Sequence, residues 1–173
     1  MNISLRATAA AALALCVLAL TVHPVQAAAS FDLVTADEAR QEARAEAAEA
    51  RAAPEISPRS VPGPRGLVPA INVVSPTAGA TPGAPVAAPL RIELAFKPAP
   101  GARIVPASFR VLYGLLKLDL TERLKKHAVV SESGVVVEGA QMPDGQHRLI
   151  LQVADDQGNT AERELLFRVG GAS

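Results

Sequence analysis

An all-β fold, an antiparallel sandwich of seven or eight short strands, is what the sequence predicts for residues 71–169. Three observations predict it. Apolar and polar residues alternate with period two in stretch after stretch, as half-buried strands require. Turn-forming clusters separate those stretches at roughly even spacing. Apolar residues make up 49% of the chain but aromatics only 3%, so any core must be aliphatic.

The elements follow in order. Residues 71–74 (INVV) open the series. Leu90, Ile92, Leu94 and Phe96 then alternate with Arg91, Glu93, Ala95 and Lys97, directly after Pro89, a position where proline is tolerated in a strand. Phe109, Val111 and Tyr113 alternate with Arg110 and Leu112, Gly114 breaks the run, and Leu116, Leu118 and Leu120 alternate with Lys117 and Asp119 as a further strand. Thr121 is expected to cap one helical turn reaching Lys126. Residues 128–130 (AVV) and 135–137 (VVV) flank a turn at 131–134 as a hairpin. The next turn, at 142–145, has Asp144 and Gly145 as structural residues, and His147, Leu149, Leu151 and Val153 then face one way. The chain turns again at 155–159, where Gly158 supplies a positive φ, and Leu165, Phe167 and Val169 complete the set.

The N-terminal third has a different character. Residues 1–27 carry Arg6, an apolar run at 7–22, Pro24 and a small-residue site ending at Ala27, the layout of a cleaved signal peptide. The alternative is an uncleaved anchor, but the run is shorter than the ~20 residues a span needs. Leu15 stands before Cys16 where lipidation needs a small residue, and cleavage removes this single cysteine, so the mature chain has no thiol chemistry.

Residues 28–53 form an Ala/Glu/Arg-rich helical segment. Thr35 and Glu38 make a capping box, and Pro54 sets the end of the helix near Ala52 or Ala53. Glu38, Glu42, Glu46 and Glu49 share one face, Ala39, Ala43, Ala47 and Ala50 the next, and Arg40, Arg44 and Arg51 a third. An alanine stripe buries little area and stacked glutamates repel, so a solvated helix is expected in preference to a docked one. Residues 54–70 are a Pro-rich linker, 71–169 the folding unit and 170–173 a tail.

The stretch at 143–160 (PDGQHRLILQVADDQGNT), with the final LLFRV at 165–169, resembles the closing hairpin of bacterial immunoglobulin-like domains, in which a D-G-x-Y start, an alternating strand, a D-x-x-G-N turn and a last strand recur. The resemblance implies an Ig-like sandwich, a fold that serves adhesion, spacing and ligand binding alike. His147 stands where that pattern has an inward Tyr.

Little in the sequence points to catalysis. His127 and His147 are the histidines left after cleavage, no G-x-S-x-G elbow occurs, and no H-x-x-x-H spacing suggests zinc. Asp155, Asp156 and Asn159 are weak candidates for calcium, although Asp and Asn in a turn commonly bond their own backbone. The zero formal charge gives no footprint for nucleic acid. Residues 97–126 nevertheless hold seven basic side chains against two acidic ones, so Lys117, Arg123, Lys125 and Lys126 are candidates for contact with an anionic surface. The absence of Trp, with Tyr113 expected to face inward, argues against a carbohydrate platform. The expectation is a non-enzymatic exported interaction module, periplasmic or secreted, needing no cofactor and meeting a protein partner in the cell envelope. The alternative is an ion or small-ligand binder using His147 or the turn at 155–159.

Overall fold

A computed structural model describes residues 30–52, 68–76 and 85–170. The expected signal peptide and most of the expected Pro-rich linker lie outside those residues. The elements are β1 (Phe31–Asp32), α1 (Ala36–Ala52), β2 (Ala70–Ser75), β3 (Leu90–Lys97), β4 (Ile104–Tyr113), β5 (Leu118–Asp119), α2 (Thr121–Lys125), β6 (Ala128–Ser131), β7 (Gly134–Gln141), β8 (Gly145–Asp155) and β9 (Thr160–Val169). They form two sheets, one ordered β1-β7-β3-β2 with β6 also on β7, the other β5-β4-β8-β9.

The period-two pattern does what it predicts. Leu90, Ile92, Leu94 and Phe96 of β3 point inward, as do Phe109, Val111 and Tyr113 of β4, and Leu149, Leu151 and Val153 of β8. Together with Val135 and Val137 of β7 and Leu165, Phe167 and Val169 of β9 they fill the space between the sheets. The longest ladder joins β8 to β9, running from the pair Gly145 and Val169 to Ala154 and Thr160. Beyond β9, Val86 lies parallel to Val169 and donates its N–H to the Arg168 carbonyl at 2.8 Å, covering part of that edge.

Three sequence expectations are corrected. The run at 116–120 is a strand only at Leu118–Asp119, because residues 114–117 form a turn with Gly114 and Lys117 both at positive φ. Thr121 does not cap α2: it lies inside the helix behind Leu120, and its Oγ1 accepts the buried amide of Val111 at 3.0 Å. The amide of Thr121 itself goes to Asp119 Oδ1 at 2.8 Å.

The third correction is the largest. The N-terminal segment is part of the sandwich. Phe31 and Asp32 pair in parallel with Ala140 and Gln141, prolonging the edge of β7 that β6 covers over its first half. Leu33 and Val34, 0% and 2% exposed, enter the core, so the core extends beyond residues 71–169. The ring of Phe31 stacks on His127 with centroids 3.9 Å apart.

Candidate functional site

One group of polar side chains gathers at the end of the sandwich where β4 finishes and β8 begins, and Glu42 of α1 reaches the turn that follows β4. Thr35 and Glu38 form the expected capping box: the Thr35 amide donates to Glu38 Oε2 at 2.8 Å and the Glu38 amide to Thr35 Oγ1 at 3.3 Å. Glu38 has a second role. Arg123 of α2 donates Nη1 to Glu38 Oε2 and Nη2 to Oε1, both at 2.9 Å, and Nη1 also reaches the Leu33 carbonyl at 2.8 Å. This fork-to-fork pairing is the strong form of a charge-assisted bond. The Arg123 guanidinium first, then Thr35, hold the Glu38 carboxyl at about 2 against the opposing effect of burial.

One helical turn on, Glu42 is buried at 4% exposure. Its carboxylate accepts the backbone amides of Leu115 and Leu116, the latter at 3.3 Å. It occupies the space that a Cβ on Gly114 would need, so Gly114, at φ 67°, is required both by the turn and by its neighbour. The helix is therefore docked, mainly through Glu38 and Glu42, with Ala39 of the alanine stripe packed against the core. Ala43 and Ala50 remain exposed while Glu42 is covered. The repulsion expected between stacked glutamates is met by Arg123 for one and by two N–H dipoles for the other.

Near the start of β8 lies His147, 3% exposed. Its Nε2 is 2.7 Å from the Pro143 carbonyl, which can only accept, so Nε2 carries the proton. Nδ1 then accepts from the Tyr113 hydroxyl at 2.9 Å. Burial lowers the His147 pKa, with the Pro143 carbonyl and the charge of Glu46 opposing it. Burial, and then the charges of Glu42, Glu46 and Glu38, push Tyr113 up to about 12. The inward, packed setting read from alternation with Leu149, Leu151 and Val153 is the one found.

The turn at 155–159 spends its oxygens on itself. Asp155 Oδ1 accepts the amides of Gln157 at 3.0 Å and Asn159 at 2.8 Å, and Oδ2 accepts Asn159 Nδ2 at 3.0 Å. Burial raises the Asp155 carboxyl, but these donors outweigh it and its pKa is lowered. Asp156 Oδ1 takes the Arg103 amide at 3.0 Å and Gly158 sits at φ 84°. Asp144 is exposed in the bend that leads to Gly145, the first residue of β8. Among the described residues no group of three His, Cys, Asp or Glu side chains is arranged to hold a metal ion.

The cationic candidates differ in setting. Arg123 is engaged by Glu38, Lys125 lies 3.6 Å from Glu122, and Lys117 and Lys126 are exposed. The sequence signal that would have found the dock is charge: residues 28–53 carry six acids against three bases, the complement of the basic segment 97–126. The apolar FDLV at 31–34, just ahead of the capping box, would have found β1. No family model matches the chain, and no curated protein matches it.

Proposed function

We propose that the chain is an exported, immunoglobulin-like, non-enzymatic interaction module that works through protein contact in the cell envelope. The observation that carries the fold half of this reading is strand order. In immunoglobulin-type sandwiches strands A, B, E and D face C, F and G. Here β2, β3, β7 and β6 fall in the first set of places and β4, β8 and β9 in the second, with β5 beside β4. A further support is His147. Near the start of strand F such domains place a tyrosine whose hydroxyl bonds to backbone a few residues upstream. His147 does this work by reaching the Pro143 carbonyl, four residues back.

The functional half rests on how the polar groups are used. The buried imidazole, the Asp155 carboxylate and the Glu42 carboxylate all hold backbone or neighbouring side chains, and each has a structural partner. Among the described residues no helix is long and apolar enough to cross a membrane. Two measurements test the reading. N-terminal sequencing of the exported form should begin at Ala28, and an intact Met1 in a membrane fraction would refute cleavage. Calorimetric titration with calcium, zinc and copper should give no stoichiometric heat, and submicromolar binding of any of them would replace this proposal with an ion-binding one.

A further inference from the structure

The manner in which α1 is attached defines a recognition site. Its contacts include a carboxylate on Arg123, a second carboxylate one helical turn later on two turn amides, a short strand on the edge of β7 and the Phe31 ring on His127. Only Leu33 and Val34 of this segment are fully buried apolar residues. Receptor and segment also meet through opposite charge, the Arg123 guanidinium against the Glu38 carboxylate. Such an arrangement reads a pattern, a short strand and a buried apolar pair followed by glutamates spaced i and i+4 on a helix.

We propose that the surface made by Arg123, the amides of Leu115 and Leu116 and the β7 edge at Ala140 and Gln141 is a receptor for an acidic helix led by a short strand. Residues 31–46 occupy it as an intramolecular ligand, and the same segment of a second copy of this chain is its occupant in trans. The second copy is favoured because it carries the matching pattern by identity, and exchange of an identical element needs no new interface. The chain between Ala52 and Val68 keeps the ligand near its own receptor at an effective concentration on the order of millimolar, so the intramolecular form prevails in dilute solution. This deepens the interaction-module reading and rests on it for its use in the cell.

The test uses the full mature chain with a site-specific protease sequence inserted between Ser60 and Val61. After cleavage, a fluorescent peptide of residues 30–52 is added. The peptide should enter one site per sandwich, be displaced by unlabelled peptide, and bind roughly tenfold or more weakly when it carries Glu38→Gln and Glu42→Gln. Because those changes are in the peptide, the sandwich is untouched. An intact, isotope-labelled copy bearing Arg123→Ala, whose own segment is loosened, should form a one-to-one complex with the cut protein in native mass spectrometry. Equal binding of the two peptides overturns the receptor, and so does a sandwich that melts cooperatively yet takes up no peptide. Peptide binding without the complex overturns the second copy as occupant. Failure here leaves the export and metal titration results standing, so it is distinguishable from failure of the functional reading.

Discussion

The sandwich interior and the α1 dock hold together by different physics. Between the sheets, Phe109, Val111, Leu149 and Val153 are fully buried and gain stability by leaving water and packing against one another. At the dock Leu33 and Val34 are buried as well, but the helix itself is held by Glu38 and Glu42 against Arg123 and two backbone amides. The first kind of attachment is non-directional and tolerant in detail. The second is directional, so it specifies one position of the helix and fails when a single atom is changed.

The comparison can be broken at its strong end first. Phe109→Ala should cost about 3–5 kcal/mol and leave the whole domain close to unfolding, measured by denaturant titration. A loss below about 1 kcal/mol would mean that the two sheets are not one cooperative core.

Glu42→Gln and Gly114→Ala should each cost about 1–3 kcal/mol. The second evicts the Glu42 carboxylate with a methyl group at a positive-φ position. Amide hydrogen exchange should accelerate at Leu115 and Leu116 while β8 and β9 keep their protection. Uniform acceleration would show that dock and sandwich open as one unit.

Two effects depend on pH. Glu38 has a folded pKa of about 2, below its ordinary 4.5, so its contribution is fully present above about 4.5 and is lost as pH falls toward 2. Its partly solvated pairing limits this to about 1 kcal/mol, and Arg123→Ala should remove the dependence. His147 is also lowered, from an ordinary 6.5, so its contribution is present above about 6.5 and fades as acid protonates the unfolded chain first. His147→Tyr should keep the fold and flatten the stability profile between roughly pH 5 and 7. An NMR titration giving a raised His147 pKa would contradict the buried geometry.

The smallest expected effect is at Lys117, a non-glycine residue at φ 51°. Lys117→Asn should raise stability by up to about 1 kcal/mol, read from thermal melts, since Asn tolerates the left-handed region better than Lys.

Most of the sandwich was legible because alternation reports burial directly: β3, β8 and β9 each bury the residues their sequence marks. The turn at 155–159 was legible because Asp, Gly and Asn carry local instructions. The dock was not, because the rule for amphipathic helices looks for an apolar stripe and finds only alanine. A glutamate such as Glu42 reads as solvated until the turn that receives it, at 114–117, is in place. Leu116 was misread for the complementary reason. Its alternation with Leu118 and Leu120 is genuine, but the amides of residues 115 and 116 are taken by Glu42, and the chain turns before it can pair. His147 was read correctly as packed, while its bond to Pro143 depends on the bend at 142–144 and lies beyond any periodicity.

The parallel pairing of β1 with the far end of β7 sets an order in time. Residues 31 and 32 leave the ribosome early, yet their partners Ala140 and Gln141 are synthesised near the end of the chain. Closing so long a loop is entropically slow and is rewarded only when the rest of the sheet exists. Until then the second half of β7, on the edge away from β3, presents unpaired backbone groups beyond the end of β6, the kind of edge on which chains associate wrongly. The segment at 31–32 is thus the last seal applied to the sheet although it is made before the strands it seals, and a nascent chain that loses it is left with an open edge.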